Sequence, residues 1–488
     1  MASASKNTLY YTIGTLLSKL ASFFLLPIYA NMLGASEYGK LSLIETASSI
    51  LVILMTLATE RSLYRLYYDY EGENRRIFLS TVFWTIILFG LTIFAIASLS
   101  GNYISPYVGN VNPIRVLIPV FLYTYFSAVI SFSQIIMQVE QKGKDFVVVS
   151  LASCLFYNTF TILFLFYYSP TIDAMVYATL LSNLCVMPII YKRLKRCIIF
   201  KFDLKIIRSV FQFSMPMFGM VAAGWALSVS DRFFIANLGS LEDAGVYSIA
   251  AKFTLVGTML SASVFQAYGP LFYNITNTTT YQEAKKRLYS INKFISSTVC
   301  ILFVLVALFS KIVPDMLLSS EYEKVAMYSY ILCLAAMIGQ QCGLLNLMIY
   351  QEKKTLGVSI IAVFAGFLSL ILNIIFIPMI GSIGAAVCNL LVNMFIFSTT
   401  WILAKKYYYI KLSYGIINYS FLIIGVYYLV DIYIPNSAPL LSFLIKLLIS
   451  LLWTYAGYYM NLVDMTYFDI YKNKIIIKVN KWRNSRIS

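Results

Sequence analysis

The sequence predicts an all-α integral membrane protein of about fourteen transmembrane helices, and three observations predict it. The chain is 60% hydrophobic and only 12% charged over 488 residues, whereas a soluble domain carries roughly 25% charge. Apolar runs of about 20 residues, each able to cross ~30 Å of hydrocarbon as a helix, recur along the whole length. The segments joining them alternate between basic and nearly uncharged, as cytoplasmic and external loops do.

Taken in order, the runs cover about 9–33, 41–60, 77–99, 116–138, 146–168 and 171–191, then 209–237, 245–266, 289–310, 325–350, 356–377 and 382–404, and finally 413–430 and 437–460. The first is too long and too polar in its middle for a cleaved signal peptide. With the N-terminus inside, 28 of the 37 Lys and Arg fall on inner loops or ends and four (Lys40, Arg115, Lys311, Lys324) on outer loops. The alternation holds through every run. It accounts for the net charge of +16 as topology, so no nucleic-acid partner is implied. Both termini are expected in the cytoplasm, and no loop is long enough for a soluble catalytic domain.

The sequence also repeats itself. Ala30-Asn31-Met32-Leu33-Gly34, followed by Glu37 and Gly39, recurs as Ala236-Asn237-Leu238-Gly239, followed by Glu242 and Gly245. Arg75-Arg76 matches Lys285-Lys286 further on. This predicts a six-helix N-terminal bundle (1–200), a six-helix C-terminal bundle (201–406), two added helices (407–462) and a basic cytoplasmic tail (463–488). Because six is even, the halves are parallel repeats, expected to enclose a central cavity and to work by alternating access.

There is no histidine, which removes Ser/His/Asp catalysis and His-bearing metal sites. No phosphate-binding glycine loop or metal constellation occurs either, so no catalytic residue, metal or cofactor is expected. The seven cysteines lie in apolar runs and read as small buried hydrophobes. A charge at mid-membrane costs ~2.5 to 3.5 kcal/mol, so the few present need a reason. Lys19 shares a helical stripe with Thr12, Thr15 and Ser22, and Glu45 shares one with Ser42 and Ser49. Asp231 and Arg232 lie toward the outer end of helix seven, and Lys252 lies in helix eight. These helices begin the two halves, where a cavity would be lined. The alternative is packing, with Asp231 neutralising Arg232 or Lys252, and Glu45 neutralising Lys19. Arg61 and Arg65 sit at the inner mouth of helix two. Gln134, Gln340, Gln341 and Asn346 could bind sugar hydroxyls or hydrogen-bond between helices. Pro27 and Pro216 can break helices one and seven. A cationic cavity would suit a phosphate or pyrophosphate head group.

Three stretches carry a family resemblance: Pro27 through Gly39 leading into Leu41-Ser42-Leu43; Ser230 through Ile235 with Gly245-Val246-Tyr247-Ser248 and Lys252; and Asn373 through Pro378 with Gly381, Gly384, Ala385 and Ala386. The chain resembles the polysaccharide and oligosaccharide flippases of the multidrug/oligosaccharidyl-lipid/polysaccharide exporter superfamily. That resemblance implies a bacterial inner-membrane flippase for an undecaprenyl-pyrophosphate-linked oligosaccharide of O-antigen or capsule type. It also implies an H+ or Na+ gradient as drive, with Glu45 and Asp231 as the carriers at depth. Polysaccharide polymerase and glycosyltransferases of the same pathway would be its partners, beside membrane lipids. The rival readings are an ion-coupled multidrug or cation exporter of the same superfamily and, from another class, a membrane polysaccharide polymerase.

Overall fold

The computed structural model describes residues 2–412, 414–434 and 438–460; the tail expected at 463–488 lies outside the described residues. The first part of the chain forms α1 (Ala2–Thr56), α2 (Thr59–Leu66), α3 (Gly72–Leu99), α4 (Ile118–Val139), α5 (Gly143–Tyr167), α6 (Ile172–Leu194), α7 (Leu204–Ser228) and α8 (Ser230–Leu238). Then follow α9 (Leu241–Thr278), α10 (Tyr281–Leu317), α11 (Val325–Gln351), α12 (Thr355–Ile380), α13 (Ile383–Lys406), α14 (Tyr414–Tyr433) and α15 (Pro439–Tyr459). No strand occurs among the described residues.

Among the described residues, thirteen helical stretches are long and apolar enough to cross a membrane. One of them, Tyr10–Thr56, has 47 residues, about 70 Å at 1.5 Å per residue and roughly twice what a bilayer needs. Gly34 interrupts it at φ 73°, ψ 167°, a conformation that costs glycine nothing. The stretch is therefore two crossings, and the expected fourteen are present in a multi-pass membrane protein.

The prolines do not break their helices, contrary to expectation: Pro27 and Pro216 lie inside continuous helix. The interruptions fall instead at Gly34 and at Val229, with φ −142° and ψ −13°. A proline removes one backbone bond, which local adjustment and neighbouring side chains can make good. Helical stretches also outrun the apolar runs, because hydropathy marks hydrocarbon and not the end of a helix. Lys285, Lys286 and Arg287, expected on a loop, lie on the opening turns of α10, whose N-cap Thr280 accepts from the Glu283 amide.

The chain packs as two compact units, one of residues 1–248 with 362–385, the other of 249–361 with 386–488. These are units of contact, and their boundaries differ from those of the sequence repeat. In the first unit, Leu63, Phe78, Val82, Phe132, Ile136 and Val186 form the core among α2, α3, α4 and α6. The first limb of α1 is pinned to α5: Ser18 donates to the Ser150 carbonyl (3.2 Å) and the Tyr29 hydroxyl to Asn158 Oδ1 (2.7 Å). Just past Gly34, the Glu37 carboxylate accepts the Ile172 amide at the start of α6 (3.0 Å) and pairs with Lys40 (2.5 Å). A carboxylate there satisfies an orphan donor and complements the helix dipole.

The repeated motif makes a reciprocal contact in this unit. A Cβ on Gly39 would lie 1.8 Å from the Leu241 carbonyl oxygen, and one on Gly245 would lie 2.1 Å from the Ala35 carbonyl oxygen. The two equivalent glycines thus let the second limb of α1 and the first turns of α9 cross backbone to backbone, as small residues do between membrane helices. Gly39→Val or Gly245→Val should cost about 1 to 3 kcal/mol through overpacking. The cost would be read as a lower unfolding midpoint in detergent, and an unchanged midpoint for both would contradict the crossing.

In the second unit Phe272, Leu288, Val299, Phe303, Ile424 and Trp453 belong to one core. A polar cluster joins its helices. Asp431 on α14 meets Lys446 of α15 at 2.5 Å, accepts from the Tyr330 hydroxyl of α11 at 2.5 Å and from Ser442 at 3.0 Å, and has Lys311 of α10 at 4.0 Å. Lys446 is only 1% exposed. Lys311, expected on an outer loop, is buried in α10, beside Asp315 at 3.9 Å. Removing one partner strands the other charge, so Lys446→Met should destabilise by about 3 to 5 kcal/mol. The double variant Lys446→Met/Asp431→Leu should recover much of that in equilibrium unfolding; simple addition of the two single losses would show that the charges are not coupled.

Candidate functional site

Lys19 is exposed at the middle of the first limb of α1. Its neighbour Ser18 faces α5, and one residue is 100° around a helix, so Lys19 and the exposed Thr15 turn away from that contact. Lys19 makes no ion pair among the described residues. Glu45, on the second limb, is exposed although Ser42, Ile44 and Thr46 around it are buried. Trp225 of α7 closes the flank beside it, its indole N–H reaching Ser49 Oγ (3.0 Å) and the Thr46 carbonyl (3.3 Å). Facing hydrocarbon, each of these charges would cost ~2.5 to 3.5 kcal/mol. Arg61 and Arg65 are exposed on α2, where Arg65 pairs with Asp69 at 2.6 Å.

Asp231 and Arg232 are engaged with each other and with their surroundings. Asp231 is 6% exposed. Its Oδ2 accepts from the Tyr247 hydroxyl (2.5 Å), and its Oδ1 accepts the Arg232 amide (2.9 Å) with the Arg232 guanidinium at 3.6 Å. Arg232 also donates to the Ser228 carbonyl (3.0 Å), across the interruption at Val229. These bonds hold α8 to α7 and to the start of α9, which corresponds to the packing alternative for this pair. Lys252 is half-buried and falls in the second unit, whereas Lys19, Glu45, Asp231 and Arg232 fall in the first.

Most amides at depth hold helices together. Gln134 of α4 donates to Ser150 of α5 (3.4 Å), and Gln341 of α11 donates to the Ser296 carbonyl of α10 (3.4 Å) from a fully buried position. Gln341 Oε1 and Asn346 Oδ1 are buried without a hydrogen-bond partner in the described residues, while Gln340 is half-buried. An unpaired buried acceptor is costly, so these two oxygens, like Asn373 Oδ1, keep capacity for a further hydrogen bond.

Sequence reasoning passed over two features. Glu60 is the second residue of α2, which follows Leu57 and Ala58, non-glycine residues at φ 48° and 55°. It is 9% exposed, and its Oε2 and the nearby Thr56 Oγ1 are buried without hydrogen-bond partners in the described residues. Left-handed backbone of this kind marks strain that packing must hold. The sequence gives no sign of it beyond one acidic residue at a helix end. The other feature is the Asp431–Lys446 cluster, whose signal was present as single charges, one just past the end of an apolar run and one inside the next.

The profile of a family described as polysaccharide biosynthesis protein matches residues 4–276. A protein of the Lsg locus of Haemophilus influenzae is 26% identical over 274 residues, covering 55% of this chain and 65% of that protein. An uncharacterized membrane protein of Methanocaldococcus jannaschii is 25% identical over 413 residues, 79% of this chain and 80% of the other. The chain thus spans a little under two thirds of the Haemophilus relative. Among solved structures, the lipid II flippase MurJ in an inward closed conformation superposes with a TM-score of 0.72 at 17% identity, over 93% of this chain and 100% of that one. An inward-facing multidrug resistance transporter of the MATE family and MOP superfamily gives 0.60 at 13% identity, over 81% and 95%. Those two likenesses establish the fold, and the profile match, which spans more than half the chain, establishes that the chain belongs to the polysaccharide biosynthesis protein family.

Proposed function

We propose that the chain is a non-enzymatic transporter that flips a lipid-linked oligosaccharide, an undecaprenyl-pyrophosphate-linked repeat unit of O-antigen or capsule type, across the bacterial inner membrane. The observation that carries this reading is the pair of exposed charges, Lys19 and Glu45, at the middle of membrane crossings. Hydrocarbon would penalise both, so a water-filled cavity is the environment that suits them. Lys19 and Arg232 of the first unit and, taken by itself, Lys252 of the second are the candidates to hold the pyrophosphate and the first sugars, Arg as a planar fork and Lys as a point charge. Gln134, Gln340, Gln341 and Asn346 remain candidates for sugar hydroxyls, and Arg61 and Arg65 for the inner mouth. The lipid tail would stay in the bilayer.

Alternating access suits the repeated motif. The crossing of Gly39 and Gly245 lies at the end of the helices that the basic-loop pattern assigns to the outside, with both termini in the cytoplasm. Its parting would open that side. For the ion that drives the cycle, Glu60 adds to Glu45 and Asp231, because an unpaired buried carboxylate oxygen can take up a proton or a cation without breaking an existing bond. Glycosyltransferases would supply the substrate and a polysaccharide polymerase would consume the product.

In a strain lacking the chromosomal copy, Lys19→Ala and Lys252→Ala, expressed at wild-type level, should each lower surface polysaccharide at least about tenfold, as loss of a charge-assisted contact of ~1.5 to 3 kcal/mol would. Normal polysaccharide in both strains would remove these lysines from the cavity. Glu60→Gln should abolish the response of transport to a collapsed ion gradient while leaving expression intact. A variant that remained fully gradient-dependent would take Glu60 out of coupling. Efflux of organic cations by the wild type, with no effect on polysaccharide, would favour the exporter reading.

A further inference from the structure

Where α4 ends, α5 begins and α6 ends, all within the first unit, a pocket of about 580 Å³ opens. That lies within the ~300 to 1,000 Å³ of small-ligand sites. Its rim carries Lys142, Lys192, Arg193 and Arg196 against Glu140 and Asp145. Both carboxylates are already committed, Glu140 to Lys142 at 2.6 Å and Asp145 to Arg193 at 3.1 Å. The bond to Glu140 holds the Lys142 pKa up, so it stays charged at neutral pH. Lys192 and Arg196 have no ion-pair partner among the described residues. The pocket therefore has two cations in excess.

Its other wall is apolar, with Met137, Val148 and Ile189. The crossings bordering it end at Val139 and Leu194 and begin at Gly143, so the pocket sits where hydrocarbon gives way to head groups. Tyr191, 70% exposed on the same turn as Lys192, marks that boundary, as interfacial tyrosines do. A free anion would have no use for the apolar wall, and a neutral lipid none for the uncompensated cations. Topology explains why basic residues lie on this side, but it requires no concave pocket and no convergence of four cations on one rim.

From this combination we infer that the pocket binds the phosphodiester head group of an anionic phospholipid, with Lys192 and Arg196 contacting the phosphate and the apolar wall receiving the first acyl carbons. The pocket shares no lining residue with the proposed substrate contacts, and the inference does not depend on what the chain transports. Basic pockets between membrane helices hold anionic head groups in this way.

The test uses the full chain in nanodiscs of phosphatidylcholine with a minor fraction of phosphatidylglycerol, with retained lipids counted by native mass spectrometry. Wild type should retain phosphatidylglycerol in preference. Lys192→Ala/Arg196→Ala should lose that preference by about fivefold per cation removed, and so should the amide variant Lys192→Gln/Arg196→Gln. Lys286→Ala/Arg287→Ala, which removes the same charge elsewhere, should not. Equal retention by all three variants would overturn the site. Displacement by millimolar glycerol phosphate or inorganic phosphate would show that the occupant is a soluble phosphate, and displacement by substoichiometric polyprenyl phosphate would show that it is the carrier lipid; either result would overturn the phospholipid assignment.

Discussion

The cost of charge and of unpaired backbone in hydrocarbon is the constraint on which the rest of this structure depends. It makes every long element a helix, because only a helix satisfies its own amides and carbonyls in lipid. It is also the reason the sequence pattern leads one to expect 28 of the 37 basic residues on one side. It also divides the remaining charges into those that must be paired inside the protein and those that must meet water. Asp431 with Lys446, and Asp231 with Tyr247 and Arg232, belong to the first group. Lys19, which makes no ion pair among the described residues, and Glu45 are both exposed.

Glycine supplies what side chains cannot in such a medium. At Gly34 it turns one 47-residue stretch into two crossings. At Gly39 and Gly245 it brings two backbones together where any Cβ would collide. The same motif occurs twice in the sequence, and its two copies meet in the fold. A contact of that kind has no long side chains to disengage, and small backbone contacts of this sort are suited to parting and re-forming between two states.

The number of crossings was legible in the sequence because apolar length is written residue by residue, and the repeat was legible because Gly39 and Gly245 recur in matching surroundings. Which helix breaks where was less so. Pro27 and Pro216 attract attention, yet both lie in continuous helix, and the interruptions fall at Gly34, where φ is positive, and at Val229, where it is not. Helix ends beyond the hydrocarbon, such as the opening of α10, leave no hydropathy signal. For the candidate site, depth could be read but orientation could not: Lys19 and Asp231 look alike in sequence, and only packing shows one exposed and the other buried against Tyr247. Glu60 and the rim of Lys192 and Arg196 depend on partners distant in sequence or absent, which no local pattern records.

On the proposed function, the chain moves a lipid-linked oligosaccharide from one leaflet to the other. The most direct measurement is the leaflet in which that lipid resides when the chain is deleted, read in spheroplasts with a membrane-impermeant reagent that oxidises exposed sugars. The account predicts that lipid-linked repeat units accumulate and stay protected until the membrane is permeabilised. Accumulated units that react at once, already on the outer face, would contradict it.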